Sequence, residues 1–171
     1  ESNNMGDGIY GNDLVLTSNI DTVSILDVNN KNIHDLTGIE DFTALSVLIC
    51  RTNLLTSLDL SSNIALTELY CYNNFLTSLD LSFNTALTKL MCNGNQLLAL
   101  NIQNNNNINF TLFNSELNPN LYCIQVDDPS YSTSNWNNID SWTTFSSNCA
   151  TAFGCTDSIA CNYDTIAVID D

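Results

Sequence analysis

The chain has 171 residues, of which 44% are hydrophobic and only 13% are charged, about half the usual share of charged residues. Three cationic residues face 19 acidic ones, and the resulting net charge of −16 argues against nucleic acids and anionic membranes as partners. His34 is the only histidine, which argues against histidine-based catalysis, and no apolar run reaches the ~18 residues of a membrane span.

The first 22 residues are polar and glycine-rich up to Leu14, and we predict that residues 1–22 are the remnant of an N-terminal cap. Their stretch NNMGDGIYGND places Asp7 and Asp13 in a glycine-rich loop, which makes them candidate calcium ligands. The stretch lacks the spacing and the bidentate glutamate of an EF-hand.

An internal repeat fills residues 23–128. Residues 45–65, 66–86 and 87–107 are three copies of 21 residues with the pattern LxxLxCxxNxL; residues 23–44 are a 22-residue version and residues 108–128 a degenerate fifth copy. This is the pattern of a leucine-rich repeat, in which each coil buries its apolar side against its neighbours. We therefore predict a mainly β leucine-rich repeat solenoid of about five repeats plus caps, with a parallel concave sheet.

Alternation within the repeat predicts which side chains face inward. Leu69 and Cys71 should point into the core, whereas Tyr70 and Tyr72 should point out of the concave sheet. Asparagines recur where the chain turns, and their amides can bind backbone groups of neighbouring coils. They are Asn53, Asn74 and Asn95. On the convex side, Leu58 and Leu60 should face inward in a short extended segment, although a 3₁₀ turn fits the same leucines.

The seven cysteines fall into three groups. Cys50, Cys71 and Cys92 are 21 residues apart and should form a buried ladder of reduced thiols, since three in a row cannot all pair. Cys123 and Cys149 flank residues 117–149, an aromatic-rich segment with Trp136 and Trp142 that we predict to be a C-terminal cap closed by a Cys123–Cys149 disulfide.

The strand residues that point outward predict a binding surface. Three columns of side chains, at the third, fifth and seventh positions of the repeat, should lie on the concave face. The candidate ligand-binding residues are Val47, Ile49, Arg51, Glu68, Tyr70, Tyr72, Lys89, Met91, Phe110 and Leu112. Ile49, Tyr70, Met91 and Leu112 would form one apolar stripe, and exposed apolar stripes mark interaction sites. Ordinary cross-strand packing would select the same residue types.

Enzymatic activity is not expected. GxSxG, P-loop and GxGxxG motifs are missing from the sequence. Asp59 and Asp80 recur at one convex position, but a convex ridge offers no pocket that would raise the pKa of one carboxyl, as glycoside hydrolysis requires. We expect no cofactor, with calcium as the one ion that the acidic residues could hold.

The chain resembles the internalin-like leucine-rich repeats of secreted bacterial proteins of the type IX secretion class. The resemblance covers roughly residues 14–149 and rests on DLTGIEDFTAL, the LTSLDLSxNxAL copies and NPNLYCIQVDDPSY…NWNNIDSWTTFSSNC. It implies a secreted, extracellular or cell-surface location, ligand binding, and a segment cut from a longer protein, because the usual N-terminal capping helix is missing.

Residues 150–171 differ in composition and resemble a short cysteine motif of the same class, GCTDSIACNYD, in a tether or the start of a next module. Cys155 and Cys161 would pair with each other, or Cys155 has a partner beyond the cut. Asp157 and Asp164 are further candidate calcium ligands. The resemblance also makes Thr22, Ser158 and Thr165 candidate O-glycosylation sites, since each follows an Asp and precedes an aliphatic residue.

Two functions of different classes remain. The first is a non-catalytic adhesion module that binds a protein or glycan on the concave face. The second is a structural subunit of an extracellular filament or surface layer, in which sister subunits use the same stripe or the solenoid ends.

Overall fold

The structure, a computed structural model, describes residues 20–151. Within this range lie nine strands of three residues each and one complete α-helix, which is short. The strands are β1 (Ile25–Asp27), β2 (Val47–Ile49), β3 (Glu68–Tyr70), β4 (Ser78–Asp80), β5 (Lys89–Met91), β6 (Ala99–Asn101), β7 (Leu112–Asn114), β8 (Cys123–Gln125) and β9 (Thr144–Ser146). The helix α1 spans Pro129–Asn135, and 3₁₀ helices span Ile39–Asp41, Asn107–Asn109 and Cys149–Thr151.

The strands form two parallel sheets. Sheet A has the order β1-β2-β3-β5-β7, and sheet B has the order β4-β6-β8-β9. Each pairing in sheet A joins equivalent positions of successive copies, so Leu48 lies opposite Leu69 and Leu69 lies opposite Leu90. This arrangement confirms the leucine-rich repeat solenoid. The extended convex segment is also confirmed, since Ser78–Asp80 pairs with Ala99–Asn101.

The core consists of the inward-facing residues of the two sheets. Leu48, Leu69 and Leu90 of sheet A are fully buried, and Leu79 and Leu100 of sheet B are 2% exposed. Leu58 and Leu60 are buried as predicted, while Ser57 and Asp59 are exposed. Each coil contributes only a few leucines, so the core is continuous only because the coils stack.

The ladder cysteines Cys50, Cys71 and Cys92 are free and fully buried, as predicted. Burial raises the pKa of Cys50 and of Cys92 to about 12. Burial also raises the pKa of Cys71, and its neighbours Cys92 and Cys50 raise it further. All three thiols therefore stay protonated and behave as small apolar side chains at neutral pH.

Two rows of buried asparagines hold the turns of successive coils together. In the predicted row, the Oδ1 atom of Asn74 accepts from the Leu55 backbone N–H at 3.1 Å, and its Nδ2 donates to the carbonyls of Cys50 and Cys71. Asn118 continues this row. A second row, which the sequence analysis missed, includes Asn63 and Asn84, and the Asn84 amide donates to the Leu60 and Asn63 carbonyls.

The residue before each asparagine of the first row has a left-handed backbone. Thr52, Asn73 and Gly94 have φ values of 54°, 55° and 64°. Glycine adopts this conformation without strain, and a Cβ atom on Gly94 would lie 2.5 Å from the Oδ1 atom of Asn73, so the Asn73 side chain would have to move.

The register predicted for the fifth copy was wrong. Leu112, not Phe110, lies opposite Lys89, and Asn114 lies opposite Met91. The fourth coil is two residues longer than the 21-residue period because the asparagine-rich stretch before Phe110 forms the 3₁₀ helix Asn107–Asn109. Phe110 consequently leaves the outer face and packs against the end of the core.

The C-terminal cap closes the end of the core with aromatic rings. The Trp136 indole is 6% exposed and stacks on the Phe113 ring with centroids 4.4 Å apart, and Phe110, Phe145 and Tyr131 surround it. The Ser115 backbone N–H donates to the Asn138 carbonyl, so the cap also covers the edge of β7. Trp142, by contrast, is 47% exposed.

The predicted disulfide of the cap is confirmed. Cys123 is bonded to Cys149, with Cα atoms 5.8 Å apart and a sequence separation of 26. The bond joins β8 to the 3₁₀ helix that follows β9. Between them, the Asp128 carboxylate caps α1 by accepting from the backbone N–H groups of Ser130 and Tyr131.

Several predicted sites lie outside the described residues. They are Asp7, Asp13, Cys155, Asp157, Ser158, Cys161, Asp164 and Thr165, together with most of the predicted N-terminal cap and of the tail. The predicted domain boundaries stay predictions.

Candidate functional site: the outer face of sheet A

The outer face of sheet A presents three columns of side chains that alternate with the buried leucines. The first column contains Ile25, Val47, Glu68, Lys89 and Leu112; the second contains Asp27, Ile49, Tyr70, Met91 and Asn114. Residues two positions further along form the third, and backbone bonds between neighbouring coils align Arg51, Tyr72, Asn93 and Glu116 there. Parallel pairing in register places equivalent side chains of adjacent coils side by side.

The middle of this face carries an apolar stripe, which we define as Ile49, Tyr70 and Met91. These three residues lie on the neighbouring strands β2, β3 and β5, and all three are half-buried. Val47 and Leu112 extend the apolar surface in the first column, and both are also half-buried. The stripe was predicted to continue through Leu112, but Asn114 follows Met91 and ends it.

Glu68, Tyr70 and Lys89 form a hydrogen-bonded triad that shares Tyr70 with the stripe. The Lys89 Nζ atom lies 2.9 Å from Oε1 of Glu68, and the Tyr70 hydroxyl donates to Oε2 at 2.8 Å. Hydrogen bonding from Lys89 and Tyr70 holds the pKa of Glu68 below its usual range. Burial and the Glu68 carboxylate raise the pKa of Tyr70, so the phenol stays protonated. The triad fixes the Tyr70 ring in place and uses its hydroxyl internally.

Arg51 and Tyr72 form a second pair in the third column. The Arg51 guanidinium lies 5.4 Å from the centroid of the Tyr72 ring, within the range of a cation–π contact. Both side chains are half-buried. Thus the two cationic residues of this face have different environments, since Lys89 is paired with a carboxylate and Arg51 makes a cation–π contact with an aromatic ring.

Nine of the ten predicted binding residues lie together on this face, and Phe110 does not. Asn114 takes the place beside Met91 that the sequence analysis gave to Leu112, and Glu116 is the last residue of the third column. The two extra residues of the fourth coil lie in a run of asparagines. Because this run has no periodic apolar residues, the sequence did not reveal the change of register. That these residues bind a ligand stays a prediction.

The convex side contains a depression that the sequence analysis did not expect. It has a volume of about 590 Å³, and Asp59 and Asp80 both line it, together with Asp35 and Glu40. Hydrogen bonds from Ser61 lower the pKa of Asp59, and bonds from Thr37 lower the pKa of Asp35. A general acid of a glycosidase needs a raised pKa. Among residues 20–151, no group of three or more His, Cys, Asp or Glu side chains is placed to hold a metal ion.

The described part of the chain also contains no helix that is long and apolar enough to cross a bilayer. Thr22, the one candidate glycosylation residue within it, is exposed.

Comparisons with known proteins point to one group. A stretch of 51 residues is 45% identical to Internalin J of Listeria monocytogenes serotype 4b (strain F2365), and covers 30% of this chain and 6% of that protein. The solved functional domain of InlJ from Listeria monocytogenes, described as including a cysteine ladder, has a TM-score of 0.57 at 37% identity, over 64% of this chain and 26% of that chain. This chain therefore spans only a small part of either protein.

The crystal structure of an internalin, InlF, from Listeria monocytogenes strain 4b F2365 has a TM-score of 0.52 at 21% identity, over 68% of this chain and 46% of that chain, and shows likeness of fold alone. No protein-family model matches the chain. The register of the stacked coils, the ladder of buried thiols and these similarities all indicate the same fold. The chain carries a leucine-rich repeat domain similar to those of the internalins.

Proposed function

We propose that this domain is a non-catalytic binding and adhesion module of a secreted or cell-surface protein, and that it captures its ligand on the outer face of sheet A. The observation that carries the proposal is the apolar stripe of Ile49, Tyr70 and Met91, which stays half-exposed on three hydrogen-bonded strands. Contiguous apolar surface on a soluble domain marks interaction sites. Tyr, Met and Arg are also enriched in the cores of protein interfaces.

The similarity to internalins supports a surface module that binds protein ligands, while the chemistry of the convex depression speaks against catalysis. The carboxyls of Asp35 and Asp59 there have lowered pKa values and stay ionised at neutral pH. Ionised carboxylates cannot donate the proton that a glycoside leaving group requires.

The proposal is tested with the double variant Tyr70→Ser/Met91→Ser on arrays of immobilised extracellular-matrix proteins and glycans. We expect the variant to lose at least about tenfold in affinity for the ligands that the unmodified chain retains, because it removes the centre of the stripe. The matched control is Phe83→Ser/Leu98→Ser, which removes two apolar side chains that are each 61% exposed outside sheet A. A folded Tyr70→Ser/Met91→Ser variant that binds like the unmodified chain would rule out this face.

A structural subunit of an extracellular filament is the second candidate, and one observation favours it. Within residues 20–151, β9 pairs with β8 on one side only, so sheet B ends in an edge strand. Unpaired strand edges are templates for pairing with another chain. The solution mass decides between the two functions, as argued below.

A surface location is consistent with O-glycosylation, which we propose for Thr22, Ser158 and Thr165. Thr22 is exposed and directly follows Asp21. The intact mass of the protein from its native host tests this proposal, since a mass equal to that of the bare chain would contradict all three sites.

A further inference from the structure

We propose that Arg51 is the specificity determinant of the sheet A face, and that it binds an aspartate or glutamate side chain of a protein partner whose adjacent apolar side chain packs on the stripe. The inference rests on the proposed function and names the chemistry of the partner.

Arg51 differs from Lys89 in having no anionic partner of its own. Within the described residues, Lys89 pairs with Glu68, but no carboxylate oxygen lies within 4.0 Å of the Arg51 guanidinium and its N–H groups donate no hydrogen bond. The nearby Asp27 is already engaged, because hydrogen bonds from Asn29 are the main cause that holds its pKa below the usual range, with smaller contributions from Arg51 and Lys31. A guanidinium has five N–H donors suited to bidentate binding of a carboxylate.

The Arg51 side chain is held ready for such a contact. Its guanidinium lies over the Tyr72 ring, 5.4 Å from the centroid, and this cation–π contact engages no N–H group in a hydrogen bond. A side chain that is already ordered loses less entropy when it binds, so the contact contributes more to affinity.

The spacing between Arg51 and the stripe restricts the partner. Ile49 lies two residues before Arg51 on the same face, and two residues of extended chain span about 6.6 Å. A partner therefore presents an acidic and a large apolar side chain at about this distance, as residues i and i+2 of a strand or i and i+4 of a helix do.

A protein partner fits this face better than a glycan. Val47, Ile49 and Met91 offer no hydrogen bonds, and the Tyr70 hydroxyl donates to Glu68. Sugar hydroxyls need many polar partners, because burying them unpaired costs free energy. Apolar side chains of a protein have no such requirement.

The test uses the full chain as bait for a random peptide library displayed on phage. We expect the enriched peptides to contain Asp or Glu next to Leu, Ile, Phe or Trp. Their affinity should fall at least about tenfold with Arg51→Gln, which leaves a polar but shorter side chain and removes the charge. The matched control is Lys31→Gln, which removes an exposed cation from the turn after β1. This variant should change the affinity less than about twofold.

The outcomes separate this inference from the proposed function. Peptides that lose binding with Tyr70→Ser/Met91→Ser but keep it with Arg51→Gln, or that lack acidic residues, would overturn the role of Arg51 and leave the binding face standing. Peptides that bind all variants equally would overturn both. Acidic glycans that bind on an array in an Arg51-dependent way, without acidic peptides being enriched, would overturn the protein partner. Circular dichroism confirms that each variant is folded.

Discussion

Single buried asparagines should contribute strongly to the stability of this domain, because each bonds several buried backbone groups. Asn74 satisfies the Leu55 N–H and the carbonyls of Cys50 and Cys71, and all three hydrogen bonds are buried. We expect Asn74→Ala to lower the free energy of unfolding by about 3 kcal/mol, because each buried group left unpaired costs about 1–3 kcal/mol and only part of this is recovered by relaxation. Urea unfolding measures the change. Asn120→Ala, at an exposed position, is the control and should leave the midpoint nearly unchanged.

At the left-handed turn position of the repeat, two substitutions should change the free energy of unfolding in opposite directions. Gly94→Ala should destabilise the domain by about 1–2 kcal/mol, because alanine is strained at φ 64° and its Cβ would meet the Oδ1 atom of Asn73. Thr52→Gly should stabilise it by up to about 1 kcal/mol, because Thr52 has φ 54° at the equivalent position of another coil. Thermal unfolding of both variants provides the comparison. Changes of the same sign would contradict the view that backbone conformation dominates this position.

The hydrogen-bonded triad of Glu68, Tyr70 and Lys89 connects the strands β3 and β5 and should make the free energy of unfolding depend on pH. The pKa of Glu68 is lowered in the folded state, mainly by its hydrogen bond with Lys89, so folding favours the ionised carboxylate. Its contribution is complete above the ordinary glutamate value of 4.5 and is lost as the pH falls through the lowered folded value. We therefore expect unmodified protein to be more stable than Glu68→Gln by less than about 1 kcal/mol at neutral pH, and the difference to vanish in acid.

This pH dependence is measured by urea unfolding of both proteins across the acidic range. Glu116→Gln removes an exposed carboxylate from the same face but outside the triad, and serves as the control. A stability difference between unmodified protein and Glu68→Gln that grows in acid would contradict the assigned pairing.

The C-terminal cap depends on a covalent link between elements. Closing a loop with a sequence separation of 26 stabilises the folded state by roughly 3.5 kcal/mol in the chain-entropy treatment, so Cys123→Ser/Cys149→Ser should lower the free energy of unfolding by about that amount. Denaturant unfolding under non-reducing conditions measures it. If mild reductant, which leaves the buried ladder thiols free as before, failed to reproduce the loss, the disulfide would not be its cause.

Sequence patterns predict an element well where the repeat is regular and poorly where it is not. The strands around Leu48, Leu69 and Leu90 were placed correctly because a strict 21-residue period has only one register that buries the leucines. Strand β7, the last of sheet A, was misplaced by two residues because Phe110 and Leu112 are both apolar and either fits an outward column. Aromatic packing on Trp136, a long-range contact without a local signal, decides that Phe110 turns toward the core end.

The position of the candidate site was predictable where the repeat is regular, because the period and the alternation fix which side chains face outward. Columns that include Ile49, Tyr70 and Met91 follow from period and alternation alone. The hydrogen bonds between these side chains do not follow from the sequence. Alternation places Glu68, Tyr70 and Lys89 on one face but does not determine which of them form hydrogen bonds with each other. Likewise, the cation–π contact of Arg51 with Tyr72 depends on rotamers that the repeat pattern leaves open.

The net charge of −16 governs how whole molecules meet each other. Copies of the chain repel one another at long range, and this repulsion is screened at distances beyond about 8–10 Å in physiological salt. The cap adds a second barrier to association, since it covers β7 and buries Trp136. Two features favour association instead. One is the edge strand β9, and the other is the pair of nearby rings of Tyr122 and Trp142, which are 41% and 47% exposed.

These opposing effects are resolved by the mass of the particle in solution, measured by light scattering together with negative-stain imaging. We expect a monomer of 18.8 kDa at low and at physiological salt, because a three-residue edge strand buries too little surface to overcome the repulsion. A monomer supports the binding module and directs the search to ligands of the sheet A face. Filaments that dissolve in the Trp142→Lys variant would instead show that the β9 end joins subunits. Filaments that dissolve only in Tyr70→Ser/Met91→Ser would assign the apolar stripe to a sister subunit.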